Sequence, residues 1–115
     1  MKSLLKARLD AASTALKARW KEYCAGRGTL DILIASSKRT LEAERDLSTS
    51  KANQIAAWES HLQRMQQLYV INLARYNAGR ISIQDLADTD YFRLDAEIGL
   101  ERAKAQLNQS RQSSE

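Results

Sequence analysis

A short turn motif occurs twice in this chain, and its two copies constrain the fold more than any other feature. Residues 23–30 read Tyr-Cys-Ala-Gly-Arg-Gly-Thr-Leu, and residues 76–83 read Tyr-Asn-Ala-Gly-Arg-Ile-Ser-Ile. The copies are 53 residues apart, and the same offset links Leu9 to Leu62, Leu33 to Leu86, Leu41 to Leu94, Ala43 to Ala96, Glu44 to Glu97, Leu47 to Leu100, Lys51 to Lys104 and Ala52 to Ala105. A fixed internal period indicates that one supersecondary unit is repeated. The sequence therefore predicts a tandem duplication of a helix–turn–helix.

The composition predicts an all-α fold. The chain has no proline and four glycines, three of which lie in the two turns. Its commonest residues are strong helix formers, and no run of β-branched residues shows the alternation that a strand requires. A length of 115 residues fits one small domain. We expect this domain to consist of two repeats, residues 1–53 and 54–110, followed by a polar tail at residues 111–115.

The apolar periodicity predicts three helices. The first spans residues 3–24, where apolar residues recur every three or four positions. The second runs from Leu30 to about Asn77 without glycine or proline and would be about 70 Å long. The third runs from Ile83 to about Gln109, with Ser110 to Glu115 as a frayed polar end. It carries an apolar stripe at Ile83, Ala87, Tyr91, Leu94, Ile98 and Ala105, which is widened by Leu86, Ala96, Leu100, Ala103 and Leu107.

The turns predict how these helices are arranged. Gly26 and Gly79 are expected just after a helix end, with Thr29 and Ser82 capping the next helix. Short turns make neighbouring helices antiparallel. We therefore expect tandem, coiled-coil-like hairpins that share one long central helix. The alternative is a break near Ser48–Ser50, where helix propensity is low, and this would give a four-helix bundle.

Charge is distributed unevenly along the chain. The net charge is +4, yet basic residues dominate residues 1–39 and acidic residues dominate residues 83–101. Such asymmetry favours pairing within or between chains over a uniform basic surface for nucleic acid, which we do not expect to bind. Together with the wide apolar stripe, it predicts a homo-oligomer or a helical partner. No signal peptide is visible, and no apolar run approaches the roughly 20 residues that span a bilayer.

The residues that could carry chemistry are few. His61 is the only histidine and has no second ligand at metal-binding spacing, while Cys24 faces the negative end of a helix dipole. No Ser/His/Asp set and no phosphate-binding glycine loop is present. We therefore expect neither an enzyme nor a cofactor or metal.

The second turn and the helix after it resemble a known family. Residues 76–86 read Tyr-Asn-Ala-Gly-Arg-Ile-Ser-Ile-Gln-Asp-Leu and are followed by Leu94, Asp95, Ala96, Glu97 and Leu100. This pattern resembles the TolC-type outer-membrane efflux family, in which a Tyr-x-x-Gly turn closes the periplasmic tip of a long helical hairpin. The resemblance implies an adaptor-type helical partner and a location in the periplasm or outer membrane. It also implies turn tips that bind this partner, at Gly26, Arg27, Gly28, Gly79, Arg80 and Asp85.

Two departures limit what the resemblance implies. In the first copy, Ile32 occupies the register position of Asp85. The membrane strands that a channel of this family needs between its repeats are also missing from the predicted helices. The sequence therefore predicts a non-enzymatic helical-hairpin protein that acts in an efflux assembly, or else a soluble oligomeric coiled-coil scaffold without a transport role.

Overall fold

The computed structural model describes residues 1–113 and contains four helices within them. These are α1 (Lys2–Cys24), α2 (Leu30–Arg45), α3 (Lys51–Asn77) and α4 (Ile83–Ser113). No strand occurs in this range, so the all-α prediction is confirmed. Helix α4 continues to Ser113 and therefore includes residues 111–113 of the predicted polar tail. The rest of that tail, residues 114 and 115, lies outside the described range.

The prediction of one long central helix is wrong. Helix α2 ends at Arg45 and α3 begins at Lys51. The break falls at the segment where helix propensity is low, because serine and threonine side chains compete for backbone hydrogen bonds. Ser48 Oγ accepts from the backbone N–H of Ser50, and Ser50 Oγ accepts from that of Asn53, each at 3.1 Å. Ser50 therefore caps the start of α3, and the four-helix alternative fits the observed helices.

Two amides at the start of α3 stabilise the break. Asn53 Nδ2 donates to the carbonyl oxygens of Glu44 and Ser48, at 3.0 and 3.1 Å. Gln54 Nε2 donates to those of Arg45 and Ser48, at 2.7 and 2.9 Å. The last carbonyls of a helix have no partner within it, so these bonds satisfy groups that a continuous helix would have paired internally.

The chain divides into two compact units, Met1–Ala57 and Trp58–Glu115, and the division falls inside α3. In the first unit α1 and α2 pack as a hairpin. Its buried apolar residues include Leu16, Tyr23, Leu30, Leu33, Ile34, Leu41 and Ala43. Arg8 Nη2 lies 2.7 Å from Asp46 Oδ2 and joins the start of α1 to the end of α2.

In the second unit, α4 packs against the part of α3 that follows Trp58. Its buried apolar residues include Met65, Leu68, Leu86, Ala96, Leu100 and Ala103. Gly99 lies inside α4, and a Cβ atom at this position would overlap three atoms of the Trp58 ring. The glycine therefore allows the tryptophan ring to lie directly against the α4 backbone.

Each unit has a polar pair between its helices, at positions related by the 53-residue offset. In the first unit Arg19 Nη1 donates to Ser36 Oγ at 3.4 Å. In the second unit Asn72 Nδ2 donates to Thr89 Oγ1 at 2.9 Å, and both side chains are fully buried. A buried polar group requires a partner, so these bonds favour one register of each hairpin over its alternatives. The duplication itself, with repeats 1–53 and 54–110, stays a prediction.

Candidate interaction surfaces

The two turns that the sequence singled out have the same backbone geometry. Gly26 and Gly79 have φ angles of +85° and +72°, in the left-handed region where a side chain is disfavoured. Each turn has the two bonds of a Schellman motif, which ends a helix by satisfying its last carbonyls. These bonds are Gly26 N–H to Tyr23 O at 3.0 Å, Arg27 N–H to Glu22 O at 2.8 Å, Gly79 N–H to Tyr76 O at 2.9 Å and Arg80 N–H to Arg75 O at 2.8 Å.

The two turns differ in charge. Arg27 forms an ion pair with Glu22, in which Nε lies 2.7 Å from Oε2. This hydrogen bond and the charge of Arg27 lower the pKa of Glu22 below its usual value. The position equivalent to Glu22 in the second copy is Arg75, so the same pair cannot form there. Arg80 is exposed and makes no ion pair with any residue in the described range.

The helices that follow the turns also begin differently. Ser82 caps α4, because its Oγ accepts from the backbone N–H of Asp85 at 3.1 Å. Thr29 occupies the N-cap position of α2, as predicted, but its side chain makes no capping hydrogen bond. The Thr29 side chain instead bonds to Asp31, and this bond lowers the pKa of Asp31.

The predicted tip residues thus divide between two sites. Gly26, Arg27 and Gly28 lie together in the first turn, where Gly28 also has a positive φ of +80°. Gly79 and Arg80 lie in the second turn, and Asp85 is half-buried in the first turn of α4. The carbonyl oxygen of Asp85 accepts from Thr89 Oγ1 at 2.8 Å. The backbone of Asp85 therefore helps to position the hydroxyl that bonds to Asn72 on the other helix of the hairpin.

A row of exposed apolar side chains lies on α4 in the second unit. Ile83, Tyr91, Leu94 and Ile98 are 54%, 63%, 44% and 48% exposed, and Ala87, on the same stripe, is also exposed. We call these five residues the α4 ridge. Helical geometry places them on the side of α4 opposite Leu86, Ala96 and Leu100, which pack in the core. The sequence predicted one wide apolar stripe, but packing within the unit buries only the side of it that includes Leu86, Ala96 and Leu100.

Acidic residues lie beside the α4 ridge. Asp90 and Glu97 on one side are engaged with Arg93, whose Nη2 lies 2.6 Å from Asp90 Oδ1 and whose Nη1 lies 3.8 Å from Glu97 Oε2. Asp88 and Asp95 on the other side are exposed and make no ion pair within the described residues. The ridge is therefore an apolar surface with unpaired negative charge along one edge.

A groove in the first unit is lined by small side chains and by arginines. It has a volume of about 430 Å³ and runs between α1 and α2. We call it the alanine groove, and it is lined by Ala11, Ala12, Ala15, Ser36 and Ala43, with Arg8, Arg19, Arg39, Glu42 and Asp46 around them. Arg39 is exposed and makes no ion pair with a described residue. The sequence reasoning missed this groove, although the alanines at positions 11, 12 and 15 were a signal for close helix packing.

Comparisons with known proteins add no further support to the resemblance seen in the sequence. No protein-family model matches the chain, and the searches of curated proteins and of solved structures find no match either. The similarity to the TolC-type family therefore depends on the turn motif and the residues after it. In the described part of the chain, no helix is both long enough and apolar enough to cross a membrane.

Proposed function

We propose that this chain is a non-enzymatic helical-hairpin protein that acts through helix–helix contacts in an efflux assembly of the TolC type. The observation that carries the proposal is the α4 ridge. Its apolar side chains recur every three or four residues and face away from the core of their own unit. An amphipathic surface of this kind is what a second helix recognises.

The two turns support the assignment to an efflux assembly. Both have a left-handed glycine after a helix end, and the second has a serine cap, as expected for the tip motif that the sequence resembles. Arg80 is an exposed cation at the second turn, and we propose that it contacts an adaptor-type partner. Arg27 is engaged with Glu22 and contributes less, because its charge is already compensated.

Dye accumulation in cells tests this proposal. Deletion of the gene is expected to raise the accumulation of a fluorescent efflux substrate, and the wild-type gene is expected to restore the normal level. A Leu94→Glu variant places a charge on the α4 ridge and should fail to restore it. Val70→Glu is the matched control, because Val70 is 67% exposed on α3 and does not belong to the ridge.

Two outcomes would contradict the proposal. Unchanged dye accumulation after deletion would exclude a role in efflux. Full restoration by Leu94→Glu would show that the α4 ridge is not the working surface.

A second candidate is an oligomeric helical scaffold without a transport role. It is favoured by the coexistence of an acidic-edged ridge on α4 and an arginine-lined groove in the first unit. Unchanged dye accumulation together with strong self-association would support this candidate over the first.

A further inference from the structure

We infer that the α4 ridge of one chain docks into the alanine groove of a second copy of this chain. The inference rests on the helix–helix function proposed above, because it names the occupant of the same ridge. It follows from two features of the two surfaces, which are their shape and their charge.

The shapes of the two surfaces are complementary. The ridge presents large side chains, including Ile83, Tyr91, Leu94 and Ile98, on one helix face. The groove floor consists mainly of alanines, so the backbones of α1 and α2 are close to its surface. Packing of large side chains into a groove between smaller ones is the usual way in which helices interlock.

The charges of the two surfaces are also complementary. Asp88 and Asp95 form the unpaired acidic edge of the ridge, and they lie two helical turns apart. The groove has three arginines against two acidic residues, and one arginine, Arg8, is already paired with Asp46. Arg19 Nη1 donates to the hydroxyl of Ser36, and neither Arg19 nor Arg39 makes an ion pair within residues 1–113. Two guanidinium groups are therefore available to the ridge carboxylates.

Charge complementarity argues against the simplest alternative, in which two α4 ridges meet each other. That arrangement would bring the acidic edges of two copies together, and like charges at an interface are strongly unfavourable. A ridge in a groove brings opposite charges together instead. Every chain has both surfaces, so each copy supplies one ridge and one groove for this contact.

Charge reversal tests the docking. Arg39→Glu alters the groove, and the pair Asp88→Lys and Asp95→Lys alters the ridge. Sedimentation of the full chain over a concentration series measures self-association. We expect each variant to weaken self-association by about tenfold or more, since like charges then face each other. The chain that carries all three substitutions should associate within about threefold of wild type, because opposite charges face each other again.

Matched controls separate docking from net charge. Lys38→Glu makes the same charge change next to Arg39 but outside the residues that line the groove. Asp10→Lys makes the opposite change, which is half the charge change of the ridge pair, on the side of α1 away from the groove. Both controls should associate as wild type does, and circular dichroism should show unchanged helix content in every variant.

Two results would overturn the inference. One is a wild-type chain that stays monomeric up to about 1 mM, a concentration at which even weak self-association is detected. The other is a triple variant that associates no better than Arg39→Glu alone. Either result would leave the dye-accumulation test untouched, because a different helical partner could still occupy the ridge.

Discussion

Replacement of Gly99 by alanine should destabilise the protein, although α-helix propensity alone predicts the opposite. In a helix interior alanine is favoured over glycine by about 1 kcal/mol. Here the new Cβ would overlap three atoms of the Trp58 ring, so the ring or the helix must move. Forcing extra atoms into a packed site costs about 1–3 kcal/mol. The surroundings place the cost in the upper part of that range, because the Trp58 ring also packs edge-on against buried His61 at a centroid distance of 6.1 Å.

The expected net effect of Gly99→Ala is a loss of about 1–2 kcal/mol, the difference between these two contributions. Urea denaturation followed by circular dichroism measures the free energy of unfolding. A second background isolates the cause, because Trp58→Leu removes the ring atoms that the Cβ would meet. In that background Gly99→Ala should be stabilising, by up to about 1 kcal/mol. A stabilising effect in the wild-type background would refute the packing argument.

Three further predictions concern the polar pair and the turns. Thr89→Val should lower the free energy of unfolding by about 0.5–1.5 kcal/mol, because it removes the buried 2.9 Å hydrogen bond from Asn72 Nδ2 to Thr89 Oγ1. Urea denaturation measures this loss, and an unchanged midpoint would contradict the prediction. Gly79→Val should lower the free energy of unfolding by about 1 kcal/mol or more, since φ at this position is +72°. Thermal melting measures this loss, and an unaltered melting curve would contradict a left-handed backbone at Gly79. Glu22→Gln should lower stability near neutral pH, because Arg27 depresses the pKa of Glu22 in the folded state. The difference between variant and wild type should vanish as the pH falls through that lowered pKa, where Glu22 becomes protonated, and a difference that persists in acid would argue against the ion pair.

The turns and helix ends were predictable because their signals are local. A glycine after a helix end and a serine before the next helix determine backbone geometry within a few residues, and Gly26, Gly79 and Ser82 behave as expected. Thr29 shows the limit of this reasoning. Asp31 lies close enough to take its side-chain hydrogen bond, so the same motif position acts differently in the two copies.

Sequence periodicity alone could not predict whether α2 and α3 form one helix or two. An unbroken stretch without glycine or proline favours one helix, and serine-rich segments favour interruption. The amides of Asn53 and Gln54 decide the outcome, because they bond to the carbonyls that the end of α2 exposes. Those contacts become visible only when the two segments are placed in three dimensions.

The candidate surfaces were predictable only in part, for a similar reason. Periodicity identified one wide apolar stripe on α4, but it could not show which side of that stripe packs in the core and which side remains exposed. The alanine groove depends on the way α1 and α2 face each other, and the free charge of Arg39 depends on the absence of a partner among the described residues. Both are properties of packing rather than of spacing.

Site-specific photocrosslinking in living cells tests most directly whether the α4 ridge contacts another helix. A photoreactive amino acid at position 94 lies on the ridge, and one at position 17 lies on an exposed site of α1 away from the groove. We expect a discrete adduct from position 94, with the crosslinked peptide mapped to an amphipathic helix, and none from position 17. Equal, diffuse or absent crosslinking at the two positions would contradict a function based on helix–helix contact.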